Sequence, residues 1–398
     1  MRLLGFALRN VLRRRGRSAA TGALLGLCVA ALATRHSVTE AIEQLTHDTV
    51  VETRTGEVVV RPPGGFDEVP LGVPPLLDEA LAAEVRAHAG VELVAGRLYA
   101  AALLSDARTE TPVVLRGVDP VLEAQVCPRF SRELRAGGAW LSAAAGGVVG
   151  YALADALGLT VGQRVTLSSS GTARANALEL EVVAVSESGL ALENRRVITV
   201  PLELAQALTG AGAGVSELGL SVQGDPEVAA RTLAAKLAGR AEVRAWRDVH
   251  PLARDNVERQ HRLDVLATLV LLVVVLGALL ALGLLAVDER GREVGTMMSF
   301  GMRRAQIASM FFSEGVLLGV LGAAVGLLLS AAVTYALSTR GIRVPHMGAA
   351  HPAVLRPTLS LVTVAWGSAL SLGASAVTAA LVAWRVTRLE PIEATRWS

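Results

Sequence analysis

Apolar residues in this chain fall into four long runs separated by stretches of ordinary soluble character. The clearest run lies between Asp264 and Asp288, where 23 residues, Val265 to Val287, carry no charge. At about 1.5 Å rise per residue, a helix of that length crosses a hydrocarbon core of roughly 30 Å. From Arg304 to Arg340 the only charge is Glu314, and 28 uncharged residues separate Arg356 from Arg385. Residues 18–34, mostly Ala, Leu and Gly, form the remaining run.

Between the first two runs the pattern changes. Val50–Thr53 and Glu57–Val60 read as strands, and the Pro- and Gly-rich stretch 61–75 as a loop. Leu76–His88 has the spacing of an amphipathic helix. Strands are predicted near 91–104, 112–118, 159–167, 179–185, 196–200 and 217–222, with helices near 150–157 and 226–237. Pro201 is expected to open a further helix at its first position, which proline tolerates best. This mixture is α+β. Polar, helix-prone residues 251–264 lead into the second run, and with residues 35–46 they would form either a two-helix stalk or an ordinary solvated linker.

The division that follows is a chain of segments: 1–17 an amphipathic N-terminus, 18–45 a first span with stalk, 46–250 an exported α+β domain, and 251–287 stalk and second span. Then come 288–308 a short amphipathic helix, 309–339 a third span, 340–357 an outer loop, 358–384 a fourth span and 385–398 a tail. Residues 18–34 could also be a cleaved signal or end in a lipidated Cys28. Arginines at 2, 9, 13, 14, 15 and 17, at 290–304 and at 385–396 place both termini on the cytoplasmic side of the inner membrane.

Composition supports this and excludes some functions. The chain is 52% hydrophobic and 19% charged, below the roughly 25% charge of a soluble domain. A net charge of +2 argues for no nucleic-acid partner. The single lysine, Lys236, lies in Ala-Ala-Lys-Leu-Ala, so no Gly-Lys-Ser/Thr phosphate loop exists in this sequence. The two cysteines, Cys28 and Cys127, fall in different segments and encode no disulfide framework. No nucleophile, base or metal-ligand cluster is evident, and no cofactor is expected in the chain itself.

The most informative stretch is 288–307. Val294, Met297, Met298 and Gly301 would share one helix face, with Arg292, Glu293 and Ser299 elsewhere, as suits a helix at a membrane surface. Further on, Gly315, Gly319, Gly322 and Gly326 share one face of the third span, and small residues so spaced let helix backbones approach closely. Glu314 is an ionisable residue in an apolar run. It would pair with Arg303 or Arg304 at the headgroup level, transmit motion, or relay protons.

Glu289-Arg290-x-Arg292-Glu293-Val294-Gly295-Thr296, followed by Phe300-Gly301-Met302-Arg303-Arg304-x-Gln306-Ile307, resembles the segment after the second span of MacB/FtsX-like ABC permeases. Glu314-Gly315 with the later glycines, and Arg388-Leu389-Glu390-Pro391, are similar to the family's third span and C-terminal end. Gly117-Val118-Asp119-Pro120, Gly158-Leu159-Thr160-Val161-Gly162 and Val200-Pro201-Leu202 resemble its periplasmic core domain. Trp246-Arg247-Asp248 fits the lipoprotein-releasing branch. Residues 168–177, where that branch carries a proline-bearing loop for a chaperone, are short and lack proline.

The resemblance implies a four-span α-helical membrane domain plus an α+β periplasmic core of MacB type. It also implies partners: a cytoplasmic ABC ATPase dimer that binds ATP-Mg, a second permease protomer, membrane lipid, and a periplasmic carrier or outer-membrane component as a further candidate. Arg290, Arg292, Glu293, Thr296, Arg303 and Arg304 would meet the ATPase. The implied work is extrusion of lipoproteins or other amphipathic substrates. The alternative is mechanotransmission to an extracytoplasmic enzyme or sensor.

Overall fold

The computed structural model describes residues 15–66, 74–105, 109–142, 146–170, 175–249, 251–344 and 352–387. The chain divides into two compact units. One holds residues up to 42, 258–342 and 354 onward; the other holds 43–257 and 343–353.

The first unit is a helical bundle. Arg15–Val50, Pro251–Glu289, Arg304–Arg340 and Leu361–Thr387 are its long helices. Each contains a stretch long and apolar enough to cross a membrane. The predicted glycine seam is present, but it serves two neighbours. A Cβ on Gly315 would stand 2.6 Å from that of Ala379, and one on Gly319 would strike the Ser375 side chain, so this half of the seam seats the fourth helix. Gly322 and Gly326 seat the first helix instead, against Leu25 and the backbone carbonyl of Gly26. At one end, Arg35 Nε pairs with Asp264 Oδ1 at 2.9 Å and Thr363 donates to Glu40 at 3.4 Å. Residues 35–46 and 251–264 are helical, and the Arg35–Asp264 pair joins the two helices.

The second unit is α+β. Among the described residues its main sheet has nine strands: β1 (Val58–Arg61), β2 (Val91–Ser105), β3 (Glu110–Val118), β4 (Gly146–Gly150), β5 (Arg164–Ser170), β6 (Ala175–Ser186), β7 (Val197–Pro201), β8 (Glu217–Val222) and β9 (Glu242–Ala245). They hydrogen-bond in the order β3-β7-β4-β6-β5-β2-β8-β1-β9, and β2 also pairs with β3. Six strands therefore close into a ring, and the first half of β2 carries β8, β1 and β9 as an extension. The two largest apolar clusters lie around Leu98, Leu115, Leu167, Leu180 and Ile198, and around Val58, Val85, Leu218, Leu220 and Leu233.

Three expectations are corrected. Val50–Thr53 is not a strand: the first long helix runs to Val50 and continues as a π-helical turn, Val51–Thr55, closed by Gly56 at φ 72°. Pro201 ends β7 and stands just before the helix Leu202–Thr209 rather than inside it. The helix predicted over 288–307 is shorter, Gly291–Ser299. Gly301, at φ 85°, belongs to the turn that follows and not to the apolar face. The N-terminal arginines before Arg15, the motif at 388–394, residues 171–174 of the predicted Ser- and Gly-rich turn, and part of the predicted outer loop lie outside the described residues.

Candidate functional site

The short helix Gly291–Ser299 is held by its apolar side against three of the long helices, the second, third and fourth. Val294 is fully buried in a cluster with Val287, Ile307, Met310, Phe311, Val382 and Val386, and Met297 and Met298 pack on its edge. The same helix turns Arg292, Glu293 and Thr296 outward, where they are exposed. Thr296 Oγ1 donates to the carbonyl of Arg292 at 2.8 Å. The turn after it leaves Phe300 83% exposed, an aromatic side chain on the polar side of the joint.

Arg290 behaves differently from its neighbours. It occupies the corner between the second long helix and the short one, with Val294 N donating to its carbonyl at 2.9 Å. Its guanidinium turns inward and grips Glu314 with two hydrogen bonds, Nη1 to Oε2 at 2.7 Å and Nη2 to Oε1 at 3.1 Å. Arg290 is 6% exposed. Two planar groups meeting edge to edge form the most directional of ion pairs. The expected partner of Glu314, Arg303 or Arg304, is thus replaced by Arg290, and Arg290 is turned away from any surface that could receive another protein. Arg303 is exposed at the start of the third long helix, where its N–H donates to Gln306 Oε1 at 3.0 Å. Arg304 Nη1 donates to the carbonyl of Thr387 at 3.0 Å, tying the base of the third helix to the end of the fourth.

The structure therefore gathers the predicted residues into two groups. Arg292, Glu293, Thr296 and Arg303 form a polar outward surface. Arg290 and Glu314 form a buried lock that connects the short helix to the third span. This lock and Val294 fasten the short helix to the bundle.

A second constellation, in the α+β unit, was missed in the sequence. Arg97, Arg116, Glu123, Glu193 and Glu217 are all at most 2% exposed. Arg97 Nε donates to Glu123 Oε2 at 2.9 Å, Nη1 to Glu217 Oε1 at 2.9 Å and to the carbonyl of Thr55 at 3.1 Å, and Nη2 to Cys127 Sγ at 3.1 Å. Arg116 pairs with the other oxygen of Glu123 and reaches the carbonyl of Arg54 at 3.4 Å. Arg54 and Arg61 close the rim, 2.7 Å from Glu193 and 2.6 Å from Glu217. Charges this deep persist only when paired. The two buried arginines also satisfy carbonyls at the end of the first helix, which would otherwise be left open. Gly219 makes the space: a Cβ there would stand 2.6 Å from the Arg97 guanidinium. A signal was available. Arg97 and Arg116 interrupt otherwise apolar strand runs, where a charge is expensive.

These surroundings shift the groups strongly. Burial opposes the charged form of Glu217, yet Arg61, Arg97 and Arg54 outweigh it and hold the carboxyl down at about 2. Burial pushes the Cys127 thiol up to about 12, against the pull of Arg97. Among the described residues no group of His, Cys, Asp or Glu is arranged to hold a metal ion.

Comparison with known proteins agrees with this architecture. Residues 18–240 match the MacB-like periplasmic core domain, and residues 265–391 match the FtsX-like permease C-terminal domain. The chain is 27% identical over 229 residues to the macrolide export ATP-binding/permease protein MacB of Nitrobacter winogradskyi, covering 54% of this chain and 32% of that one. It is 27% identical over 139 residues to the lipoprotein-releasing system transmembrane protein LolC of Haemophilus influenzae, covering 35% of this chain and 34% of that one. The matches thus span about a third of those relatives. The solved periplasmic region of MacB from Actinobacillus actinomycetemcomitans aligns over 52% of this chain and 94% of its own, with 12% identity and a TM-score of 0.36. With a core-domain match over more than half its length and a permease match over most of the rest, the chain belongs to the MacB/FtsX-like permease family.

Proposed function

We propose that this chain is the permease subunit of an ATP-driven complex whose ATPase is a separate cytoplasmic protein. The complex extrudes lipoproteins or other amphipathic substrates without a continuous pore. The observation that carries this reading is the short helix Gly291–Ser299. Its buried Val294 and the adjacent Arg290–Glu314 lock couple it to three of the long helices, while Arg292, Glu293 and Thr296 face outward to receive a partner. Closure of a nucleotide-bound ATPase dimer against that face would shift the third helix, and the glycine seam would pass the shift to the first and fourth. A lipoprotein substrate accords with what the LolC relative's name describes, and a macrolide with what the MacB relative's name describes; both are amphipathic.

The test is purification of the full chain in mild detergent and identification of what co-purifies. An ABC ATPase recovered in stoichiometric amount supports the reading, and its consistent absence under cross-linking defeats it. Recovery of the ATPase together with an extracytoplasmic hydrolase or sensor kinase, and no stimulation by amphiphiles, would replace extrusion with mechanotransmission.

A further inference from the structure

A cavity of about 90 Å³, part-open, lies among the four long helices of the bundle. Its walls are mostly apolar, with Leu25, Leu279, Leu282 and Leu318 among them. One end is polar: Arg290 and Glu314 line it, and Ser18 and Thr21 contribute from the first helix. Along the second long helix the lining runs from Leu279 to Arg290, a depth of about 16 Å at the helical rise. The space is narrow and greasy with a charged stopper at the end of the span.

Water is a poor tenant for most of this volume. A single water needs only about 10–15 Å³ by this kind of measure, but also two to four polar partners, and apolar cavities of comparable size stay dry and take hydrocarbon guests. The polar end adds a specific request. Arg290 spends Nη1 and Nη2 on Glu314, and its Nε–H finds no acceptor among the described residues. An unmet donor in so dry a place calls for a neutral oxygen, because the guanidinium charge is already balanced by Glu314. A fully anionic group would meet the Glu314 carboxylate.

We infer that this cavity holds one acyl chain of a membrane glycerophospholipid, with its ester carbonyl accepting from Arg290 Nε–H and its hydrocarbon lying along Leu279, Leu282 and Leu318. Two features fix that occupant. The polar end sits at the end of a span, the depth at which a bilayer lipid changes from hydrocarbon to ester. The donor asks for an uncharged acceptor, which an ester is. The site belongs to a single protomer and does not depend on the extrusion reading. Occupied, it would fill the space beside the Arg290–Glu314 lock and stiffen it.

The test uses the full chain in nanodiscs containing phosphatidylethanolamine with a diazirine near the end of one acyl chain. After photolysis, mass spectrometry of peptides locates the adducts. The expected result is labelling at Leu279, Leu282 or Leu318 above the background on the outward Val273 and Val274. Filling the cavity by Ala286→Phe should abolish those adducts and leave the background intact. Should that variant not fold, Thr21→Leu narrows the same space with a smaller side chain. Removing both charges together, Arg290→Met with Glu314→Leu, should lower the cavity adduct about fivefold, the weight of one hydrogen bond. Adducts confined to Val273 and Val274 would overturn the inference, as would cavity adducts unaffected by either filling variant. Cavity adducts obtained with an acylated peptide but not with free phospholipid would overturn it too.

Discussion

Arg97 Nε and Glu123 Oε2 lie 2.9 Å apart with both side chains wholly inaccessible to solvent. Neither charge could stand there alone, since each partner offsets the other's desolvation. Removing one partner should therefore cost far more than removing both. Glu123→Ala is expected to destabilise the full-length protein by about 3–5 kcal/mol. Thermal unfolding of the detergent-solubilised chain, followed by near-ultraviolet circular dichroism, measures it. A loss below 1 kcal/mol would mean that the network is wetter and softer than its geometry indicates.

Glu217 gives that network a pH dependence. Its carboxyl is held down at about 2 in the fold, well below its ordinary 4.5, because Arg61, Arg97 and Arg54 overcome the cost of burial. A depressed carboxylate contributes stability above its unfolded pKa and loses it as pH falls toward the folded one. The α+β unit should thus be fully stable at neutral pH and weaken between about pH 4.5 and 2, by roughly 3 kcal/mol from this group. Unfolding midpoints measured from pH 6 to 2 should fall, and Glu217→Gln should flatten the profile while lowering stability at neutral pH.

Cys127 reports on the same place. Its sulfur accepts from Arg97 Nη2 and its thiol donates to the carbonyl of Val51 at 3.3 Å. Burial raises the thiol to about 12, and the thiol rather than the reactive thiolate predominates at pH 8. A maleimide should leave Cys127 untouched in the native protein and modify it only as the network opens. Mass spectrometry of peptides from timed reactions would show this, and rapid native labelling would contradict it.

Gly319 and Ser375 permit a complementary exchange. A methyl group on Gly319 would collide with the Ser375 side chain, whereas one on Gly326 would meet both the Val29 side chain and the backbone carbonyl of Gly26, and no substitution removes the carbonyl. Overpacking of this kind typically costs about 1–3 kcal/mol. Gly319→Ala should lower the melting temperature, and Ser375→Gly should recover most of it. Gly326→Ala should stay low even beside Val29→Gly, because the Gly26 carbonyl remains in the way.

How far the sequence discloses all this depends on the length over which each signal acts. Four uninterrupted apolar runs point to four long helices because span length and charge exclusion are properties of whole segments. Strand β8 agrees with its predicted limits, 217–222, for a similar reason: a short β-rich run between turn signals has little competition. Val50–Thr53 was misread because two valines and a threonine favour strand locally. The chain there instead continues a helix whose end carbonyls are taken up by Arg97 and Arg116, some 40 to 60 residues away in sequence. The Arg290–Glu314 lock was hidden likewise. Arg303 and Arg304 are nearer to Glu314 along the chain, but the turn at Gly301 swings them outward and leaves the corner residue Arg290 facing in.

The outward face of the short helix carries the last prediction. Arg292 and Glu293 are exposed beside Thr296 while Val294 is sunk in the bundle, so charge on this face can be changed without disturbing the packing below. Exchanging the two, Arg292→Glu with Glu293→Arg, conserves net charge and helix propensity but reverses the pattern presented to a docking protein. If that pattern positions an ATPase, the exchanged protein should keep its unfolding free energy to within about 0.5 kcal/mol, the usual range for surface changes. It should lose substrate-dependent work while the ATPase continues to hydrolyse ATP. Arg290→Met, by contrast, leaves Glu314 buried without its partner and should lower stability as well as coupling. Measuring unfolding and ATP-dependent substrate release on both variants separates the two roles. Full coupling in the Arg292/Glu293 exchange would move the docking surface elsewhere, with the exposed Phe300 the next residue to change.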